Sequence, residues 1–335
     1  MIDLGRIPRI LVIGGHFVGD ALLTTPVLRA LRTSFPEAFI SYLTAAPLVL
    51  DILRSNPDVD EFLLSTKSAF KYISRLRPFD LALDLLGSQT AQLVCLLSGA
   101  RYRVGMGNAC PVRGLQPYNI ARPEVSERDD VITQYVSLTK ALGLPDLPRK
   151  TILILDDDER NLARAFLHKH GIGPEDLWVA LQPGKNQVEP PWSAEKFVAL
   201  GKKLRENLGH PILVIQGPDD RTPIAEEVHR RLGGGAILVS GLPIRRYGAV
   251  LEQCALLVTS EGGAGHIAAA LRVKSIVLFT TPTASVWFPY RPEDGMIALE
   301  ELPGQDLSVE NVARAAEGLL RRASSIQASL PTPDF

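Results

Sequence analysis

Short apolar runs alternate with amphipathic helical segments along the chain, and this alternation occurs twice. Residues 9–14 form an apolar run that leads into two glycines, which is typical of a buried parallel strand. Residues 19–34 then place leucine and valine at helical spacing. The predicted strands of this first series are 9–14, 39–44, 62–64, 79–85 and 101–105, and its predicted helices are 19–34, 47–55, 68–77, 88–98 and 127–142.

A second series begins after a segment rich in proline and charge. Its predicted strands are 177–182, 211–216, 236–239, 255–258 and 275–279, and its predicted helices are 194–208, 223–232, 245–253, 265–271 and 309–323. Strands that alternate with helices make a parallel sheet covered on both faces. The sequence therefore predicts an α/β protein of two Rossmann-like domains, 1–160 and 161–335, whose parallel sheets face each other across a cleft.

Composition narrows the classes of function. A chain of 335 residues is long enough for two domains, and its net charge of −1 gives no support for a nucleic-acid partner. The first 150 residues have a net charge of +3, and the remainder has −4. The three cysteines, Cys95, Cys110 and Cys254, have no CxxC spacing, so no disulfide framework is expected. With no signal-peptide pattern and no apolar run of spanning length, we expect a cytoplasmic protein.

The first candidate motif is the turn GGHFVGD over residues 14–20. Its glycine spacing matches a phosphate-binding loop, but Asp20 and Ala21 stand where that loop has Lys and Ser or Thr. It also lacks the GxGxxG fingerprint, which argues against a nicotinamide-dependent oxidoreductase. What remains is an acidic residue at the start of a helix. Asp20 is either a helix N-cap or a general base, and both interpretations stay open from the local sequence.

Two further segments follow predicted strands in the second series. In QPGKN, residues 182–186, Lys185 belongs either to an anion-binding pocket or to the solvated surface. In TSEGGAGH, residues 259–266, three glycines precede a helix of small residues, so that backbone N–H groups can approach a diphosphate. The alternative for these glycines is a simple turn, and for His266 a capping or core role.

Taken in order along the chain, these segments resemble one family. Residues 19–31 resemble a "GD…TTP…RAL" segment, residues 183–197 resemble "PG…KxWPxExF", and residues 261–271 resemble "DTGxxHLAAAL". Residues 79–85, 98–105 and 216–220 fit the same series. The chain thus resembles glycosyltransferase family 9, the heptosyltransferases of bacterial lipopolysaccharide core assembly.

The resemblance implies a GT-B fold and an inverting transfer that needs no metal or cofactor. The N-terminal domain would bind a glycolipid or lipopolysaccharide-core acceptor, and the C-terminal domain a nucleotide-sugar, usually ADP-heptose. Asp20 would be the base that deprotonates the acceptor hydroxyl. The resemblance also implies donor or phosphate contacts at Lys185, Glu261, Gly262, Gly263, Ala264, Gly265 and His266, nucleoside contacts at Gly217, Asp219 and Asp220, and acceptor contacts at His16, Thr24 and Thr25.

The chain departs from the family pattern in the donor half. Pro190 stands where the family has a phosphate-binding Lys, and Lys185 or Lys274 would have to replace that charge. Glu261 and Gly262 stand where the family has Asp and Thr. These changes motivate an alternative, a catalytically weak relative that binds nucleotide or glycan as a partner protein.

A basic predicted helix suggests where an anionic acceptor or the inner membrane would be contacted. It carries Lys67, Lys71, Arg75 and Arg77, which could meet lipid head groups or phosphorylated sugar. A solvated helix face is the other explanation of this charge.

Overall fold

The computed structural model describes residues 6–65, 79–107, 114–122, 124–173, 176–184, 192–209, 211–218, 220, 222–302 and 306–327. The chain divides into two compact units, Met1–Ile154 with Ser285–Pro289, and Leu155–Ala284 with Tyr290–Phe335. The division falls at Ile154 rather than at the expected residue 160. The predicted helix 68–77, with its four basic residues, lies outside the described residues.

The first unit contains a five-stranded parallel sheet whose strand order is β3-β2-β1-β4-β5. β1 and β4 are paired in register, so that Ile13 lies opposite Asp84 where both strands end. The strand order reverses between these two strands, which is where ligands of such sheets bind. The strands are β1 (Arg9–Ile13), β2 (Phe39–Thr44), β3 (Glu61–Leu64), β4 (Leu81–Asp84) and β5 (Tyr102–Gly105), and the helices are α1 (Val18–Leu23), α2 (Thr25–Ser34), α3 (Pro47–Leu53), α4 (Gln89–Leu97) and α5 (Val131–Ala141).

The predicted helix 19–34 is divided in two at Thr24. Pro26 has no N–H to donate to the carbonyl of Leu22, four residues before it. The Thr25 hydroxyl donates to that carbonyl instead, at 2.7 Å. The missing backbone hydrogen bond is therefore replaced by a side chain, and the two short helices follow each other directly.

The second unit contains a six-stranded parallel sheet in the order β11-β10-β9-β6-β7-β8. Its strand order reverses between β6 and β9, where Gln182 lies opposite Thr259. The strands are β6 (Val179–Gln182), β7 (Ile212–Ile215), β8 (Ala236–Val239), β9 (Leu256–Ser260), β10 (Ser275–Phe279) and β11 (Met296–Glu300), and the helices are α6 (Asp157–Lys169), α7 (Ala194–Leu208), α8 (Ile224–Leu232), α9 (Ile244–Glu252), α10 (Gly263–Ala270), α11 (Ala284–Trp287) and α12 (Val309–Gln327).

Helix α6 and strand β11 were missed by the sequence analysis. The helix begins with a capping box, in which Asp156 and Glu159 each accept a hydrogen bond from the backbone of the other. Its place in the second unit follows from an ion pair with α9, where Arg160 Nε lies 2.8 Å from Glu252 Oε2. This pair explains why the boundary precedes residue 160.

The segment resembling "KxWPxExF" contributes mainly to the core. Trp192 is fully buried, packs edge-on against Phe197 at 4.7 Å between ring centroids, and donates its indole N–H to Leu307 O at 2.8 Å. Glu195, in contrast, forms an exposed ion pair with Arg231. In this segment, Trp192 and Phe197 therefore stabilise the fold.

Candidate active site

Asp20 lies in the first turn of α1, just beyond the carboxyl end of β1. The N-cap of this helix is Phe17, whose side chain makes no capping hydrogen bond, so the N-cap interpretation of Asp20 is wrong. The carboxylate is half-buried and forms no hydrogen bond with the residues that the structure describes. This leaves it available for proton transfer.

Burial raises the pKa of Asp20, and the charge of His16 acts in the opposite direction. His16 itself is exposed in the turn that precedes the helix. A carboxylate that is shielded from water and has no internal partner binds a proton more readily than an ordinary aspartate. The electrostatics of Asp20 therefore suit a general base.

The turn before α1 is held closely on both sides. A Cβ added to Gly14 would lie 1.8 Å from the hydroxyl of Tyr42, and one added to Gly15 would lie 2.5 Å from Cβ of Asp20. Gly14 N–H also donates to Leu43 O at 2.9 Å, and the Thr44 hydroxyl donates to Gly15 O at 2.8 Å. Both glycines are thus required because no side chain fits at either position.

Thr24 and Thr25 do not have the placement expected of acceptor contacts. Both side chains are buried, and their hydroxyls donate to Ala21 O and Leu22 O, each at 2.7 Å. Thr25 also accepts a hydrogen bond from the backbone of Ile152 at 3.1 Å. The expectation that Thr24 and Thr25 contact the acceptor is therefore wrong, because their hydroxyls form hydrogen bonds that stabilise the junction of α1 and α2.

A second carboxylate of the first unit, Asp84 at the end of β4, was missed by the sequence analysis. It is fully buried and accepts hydrogen bonds from Leu86 N, Gly87 N and the Tyr118 hydroxyl at 2.9, 2.9 and 2.7 Å. Burial raises the pKa of Asp84, and these three hydrogen bonds act against it. Asp84 therefore holds the loop after β4 in place through these hydrogen bonds.

A cavity of about 790 Å³ adjoins this network. Its lining comes from the end of β5 and the segment that follows, and it includes Tyr118 together with polar side chains such as Asn119, Arg122 and Glu124. Among the described lining residues, Arg122 carries a positive charge, and its guanidinium contacts Met106 Sδ at 3.1 Å. A cavity of this size and polarity suits a sugar or another hydroxyl-rich group.

In the second unit, Glu261 follows β9 at the reversal of strand order. Burial raises the pKa of Glu261, the charge of Glu300 raises it further, and a hydrogen bond with Thr283 lowers it. Glu300, at the end of β11, accepts a hydrogen bond from Ala284 N at 2.7 Å. The two carboxylates thus form hydrogen bonds with consecutive residues, Thr283 and Ala284. The sequence analysis had assigned a role to Glu261 alone.

The glycines after Glu261 have different structural functions. Gly262 has a φ of 146°, which only glycine adopts readily, and it is the N-cap of α10. Gly265 faces the sheet, since a Cβ there would lie 2.8 Å from Val277 Cγ2. Ala264 is buried as well. A ligand would therefore meet the backbone N–H groups at the start of α10 rather than these side chains.

His266 lies in α10 beside Tyr290. Its Nδ1 is 2.9 Å from the Tyr290 hydroxyl, and burial lowers the pKa of His266 to about 4. The imidazole is consequently neutral at physiological pH. It can offer a ring N–H to a ligand but no positive charge.

The expected nucleoside loop lies at the ends of β6 and β7. Asp220 accepts hydrogen bonds from the backbone and hydroxyl of Thr222 at 2.9 and 2.7 Å. A Cβ on Gly184 or Gly217 would lie within 3.3 Å of Gln182 Nε2. The turns after β6 and β7 therefore both pack against the side-chain amide of Gln182. Lys185 and Asp219 lie outside the described residues, as does Pro190.

Within the described part of the chain, several buried polar atoms at the carboxyl edge of the second sheet have no hydrogen-bond partner. Such atoms are uncommon because each costs roughly 1–3 kcal/mol of folding free energy, and a bound ligand is one way to satisfy them. Four of them lie at the end of β9 or just beyond the ends of β7, β9 and β10: Asp220 Oδ2, Ser260 Oγ, Glu261 Oε2 and Thr280 Oγ1. Their position agrees with the rule that ligands bind beyond the carboxyl ends of parallel strands.

Lys274 does not replace the lysine that the family has at position 190. It precedes β10, at the amino edge of the sheet, and its Nζ donates to Leu319 O at 3.1 Å. Burial also lowers the pKa of Lys274. That proposed replacement is therefore wrong, because a ligand at the opposite edge lies beyond its reach.

Over the described ranges, no group of three or more His, Cys, Asp or Glu side chains is arranged to hold a metal ion. In the same part of the chain, no helix combines the length and apolar character needed to cross a membrane.

Comparison with known proteins agrees with this geometry. Residues 70–316 match Glycosyltransferase family 9 (heptosyltransferase). Lipopolysaccharide heptosyltransferase 3 of Escherichia coli strain K12 is 25% identical over 292 residues, which cover 82% of this chain and 83% of that protein. The crystal structure of a family 9 glycosyl transferase from Veillonella parvula DSM 2008 aligns with a TM-score of 0.83 and 21% identity, covering 96% and 99% of the two chains.

The structure of Escherichia coli ADP-heptose lps heptosyltransferase II aligns with a TM-score of 0.77 and 20% identity, covering 94% of this chain and 99% of that one. The likeness to these two structures confirms the expected GT-B fold. Since the family match spans most of the sequence, the chain belongs to glycosyltransferase family 9, the heptosyltransferase family, and is a glycosyltransferase.

Proposed function

We propose that this glycosyltransferase moves a heptose from ADP-heptose onto a lipopolysaccharide core, with inversion at the anomeric carbon and with Asp20 as the base. Two similar proteins, whose names refer to lipopolysaccharide and to ADP-heptose, support this choice of acceptor and donor. The observation that carries the mechanism is the state of Asp20. It is a half-buried carboxylate with a raised pKa and no hydrogen bond to a described side chain, at the reversal of strand order.

The proposed reaction is a single displacement. The acceptor hydroxyl gives its proton to Asp20 while its oxygen attacks the anomeric carbon of the heptose. The bond from that carbon to the diphosphate oxygen breaks, and ADP leaves with the electron pair. A positioned base of this kind contributes roughly 10²–10⁴-fold to the rate.

The departing diphosphate gains negative charge, and the start of α10 supplies the stabilisation. Backbone N–H groups of residues 262–265 and the positive end of the helix dipole face the carboxyl edge of the sheet. The neutral His266 adds a ring N–H. Lys185 remains our proposed cation for this site. Metal independence and the absence of a cofactor stay predictions.

The remaining donor contacts are proposed from the buried atoms that lack partners. Glu261 Oε2 would accept a hydrogen bond from a heptose hydroxyl beside Glu300, and the Thr280 hydroxyl would donate or accept another. Asp220 Oδ2, with Gly217 and Asp219, would contact the nucleoside. Because these atoms are buried and have no partner among the described residues, a ligand that pairs with them gains more than it would from exposed groups.

For the acceptor, we propose His16 and the cavity beside Asp84. The cavity lining carries Arg122, which provides a positive charge for a phosphorylated or acidic sugar. Cytoplasmic location and contact with the inner membrane stay predictions, as does the role of the basic segment 67–77.

The test combines the purified protein with ADP-heptose and a lipopolysaccharide core that lacks its terminal heptose. We expect release of ADP, a core heavier by one heptose, and an anomeric configuration opposite to that of the donor in the NMR spectrum. Tight binding of ADP-heptose without transfer to any core acceptor would support the alternative, a catalytically weak binding protein. Retention of configuration would contradict the direct displacement.

A further inference from the structure

We propose that Tyr42 is a positioning residue for the Asp20 carboxylate, acting through the turn that precedes α1 and the threonine that follows it. The proposal rests on the role of Asp20 given above. Tyr42 lies in β2 and is fully buried, so it meets no substrate and acts through its neighbours alone. None of the sequence segments that resemble the family includes Tyr42.

The hydroxyl of Tyr42 touches both ends of the segment that carries Asp20. On one side, it lies where a side chain of Gly14 would be, 1.8 Å from an ideal Cβ, and the backbone of Gly15 contacts it too. On the other side, it is 3.4 Å from Thr24 Oγ1. One hydroxyl thus connects the turn before α1 to the residue after it.

The direction of the hydrogen bonds follows from the proton count. Thr24 donates its single hydroxyl proton to Ala21 O at 2.7 Å, so in the contact with Tyr42 it accepts. The series runs from the phenol through Thr24 to the carbonyl of Ala21, the residue next to Asp20. The buried position of Thr24, which does not suit an acceptor contact, is explained by this bridge.

The Asp20 side chain rests directly on the turn that Tyr42 supports. An ideal Cβ on Gly15 would lie 2.5 Å from Asp20 Cβ and 3.4 Å from its Oδ2. Movement of the turn by a fraction of an ångström therefore moves the carboxylate. Burial raises the pKa of Tyr42 to about 12, so the phenol stays neutral and acts as a fixed hydrogen-bonding group rather than as an acid or base.

The test uses Tyr42→Phe, which removes the hydroxyl and keeps the ring. Thr24→Val, which removes the other end of the bridge, is the second variant. We expect each variant to lower kcat on the order of 10-fold to 100-fold while the KM for ADP-heptose changes less than about 2-fold. The double variant should lose no more than the worse single one, because both remove one connection. Tyr102→Phe, in β5, is the matched control and should keep wild-type kcat.

A background lacking the base separates this inference from the proposed function. In Asp20→Asn, adding Tyr42→Phe should leave the residual rate unchanged, because the base that Tyr42 positions is gone. Wild-type kcat in both Tyr42→Phe and Thr24→Val, together with an inactive Asp20→Asn, would overturn the positioning role alone. A fully active Asp20→Asn would instead overturn the proposed function. A rise in donor KM without loss of kcat would also contradict the inference.

Discussion

The Asp20 side chain packs on the backbone of Gly15, with 2.5 Å between Asp20 Cβ and the place where a Cβ of Gly15 would be. Gly15 does not have a positive φ, so glycine is needed here for close packing and not for an unusual conformation. The contact ties the position of the carboxylate to a turn at the end of the central strand of the first sheet. It also makes Gly15 a direct means of displacing Asp20.

Gly15→Ala should therefore impair catalysis without affecting the donor. The new methyl group forces Asp20 away from its place, and we expect kcat to fall by roughly 10-fold to 100-fold. ADP binding, measured by calorimetry, should remain unchanged because the proposed nucleotide contacts belong to the second unit. Gly318→Ala is the control, since a Cβ there meets nothing within 4 Å. Wild-type kcat in Gly15→Ala would show that the carboxylate tolerates displacement.

Asp20 should also reduce the stability of the folded protein at neutral pH. Burial raises its folded-state pKa, so protonation of Asp20 stabilises the folded protein. This stabilisation is complete below pH 3.8 and is lost as the pH rises through the folded-state pKa. Asp20→Asn should consequently raise the Tm at pH 7. That gain should shrink as the pH falls through the folded-state pKa and should be gone below pH 3.8, where aspartate is neutral in both the folded and unfolded states.

Thermal melts of wild type and Asp20→Asn across this pH range check the sign. A lower Tm for Asp20→Asn at pH 7 would mean that the charged carboxylate is stabilised by a partner. The interpretation of Asp20 as an unpaired base would then be wrong.

A buried ion pair between α6 and α9 should matter more for stability than a surface pair. Arg245 and Glu159 form two hydrogen bonds at 2.5 and 2.8 Å, and the Arg245 side chain is only 3% exposed. Arg245→Ala leaves the Glu159 charge buried, and we expect it to lower the free energy of unfolding by about 3–5 kcal/mol. Urea unfolding of the second unit provides the measurement.

The exposed pair Arg231–Glu195 is the matched control. Arg231→Ala should lower the free energy of unfolding far less than Arg245→Ala does, because water screens the exposed interaction. Equal effects of Arg231→Ala and Arg245→Ala would show that burial does not set the strength of these pairs.

Several parts of this protein follow from local sequence pattern. The apolar runs before Gly14 and before Glu261 predict strands, and the small residues after Glu261 predict a close-packed helix start. Both expectations agree with the structure because they depend on neighbours in sequence. Helix α6 could have been predicted too, since Asp156 and Glu159 form a recognisable capping box.

The features that were missed depend on residues far apart in sequence. Asp84 lies in an ordinary strand pattern, and only its hydrogen bond with Tyr118 identifies it as an organising group. Glu300 approaches Glu261 through a strand that the pattern did not predict. Thr24 is part of a recognised segment, yet its contact with Tyr42 gives it a structural function. None of these contacts can be inferred from the sequence alone, because each depends on the tertiary structure.

Transfer of heptose from ADP-heptose by the Asp20→Asn variant measures what the carboxylate contributes to the reaction. Glu37→Gln, an exposed acidic position of the same unit, is measured beside it as the control. We expect Asp20→Asn to lower kcat by roughly 10²–10⁴-fold at pH 7, with ADP-heptose bound as tightly as by the wild type, and Glu37→Gln to be unchanged. A kcat for Asp20→Asn close to that of the wild type would contradict the assignment of Asp20 as the base.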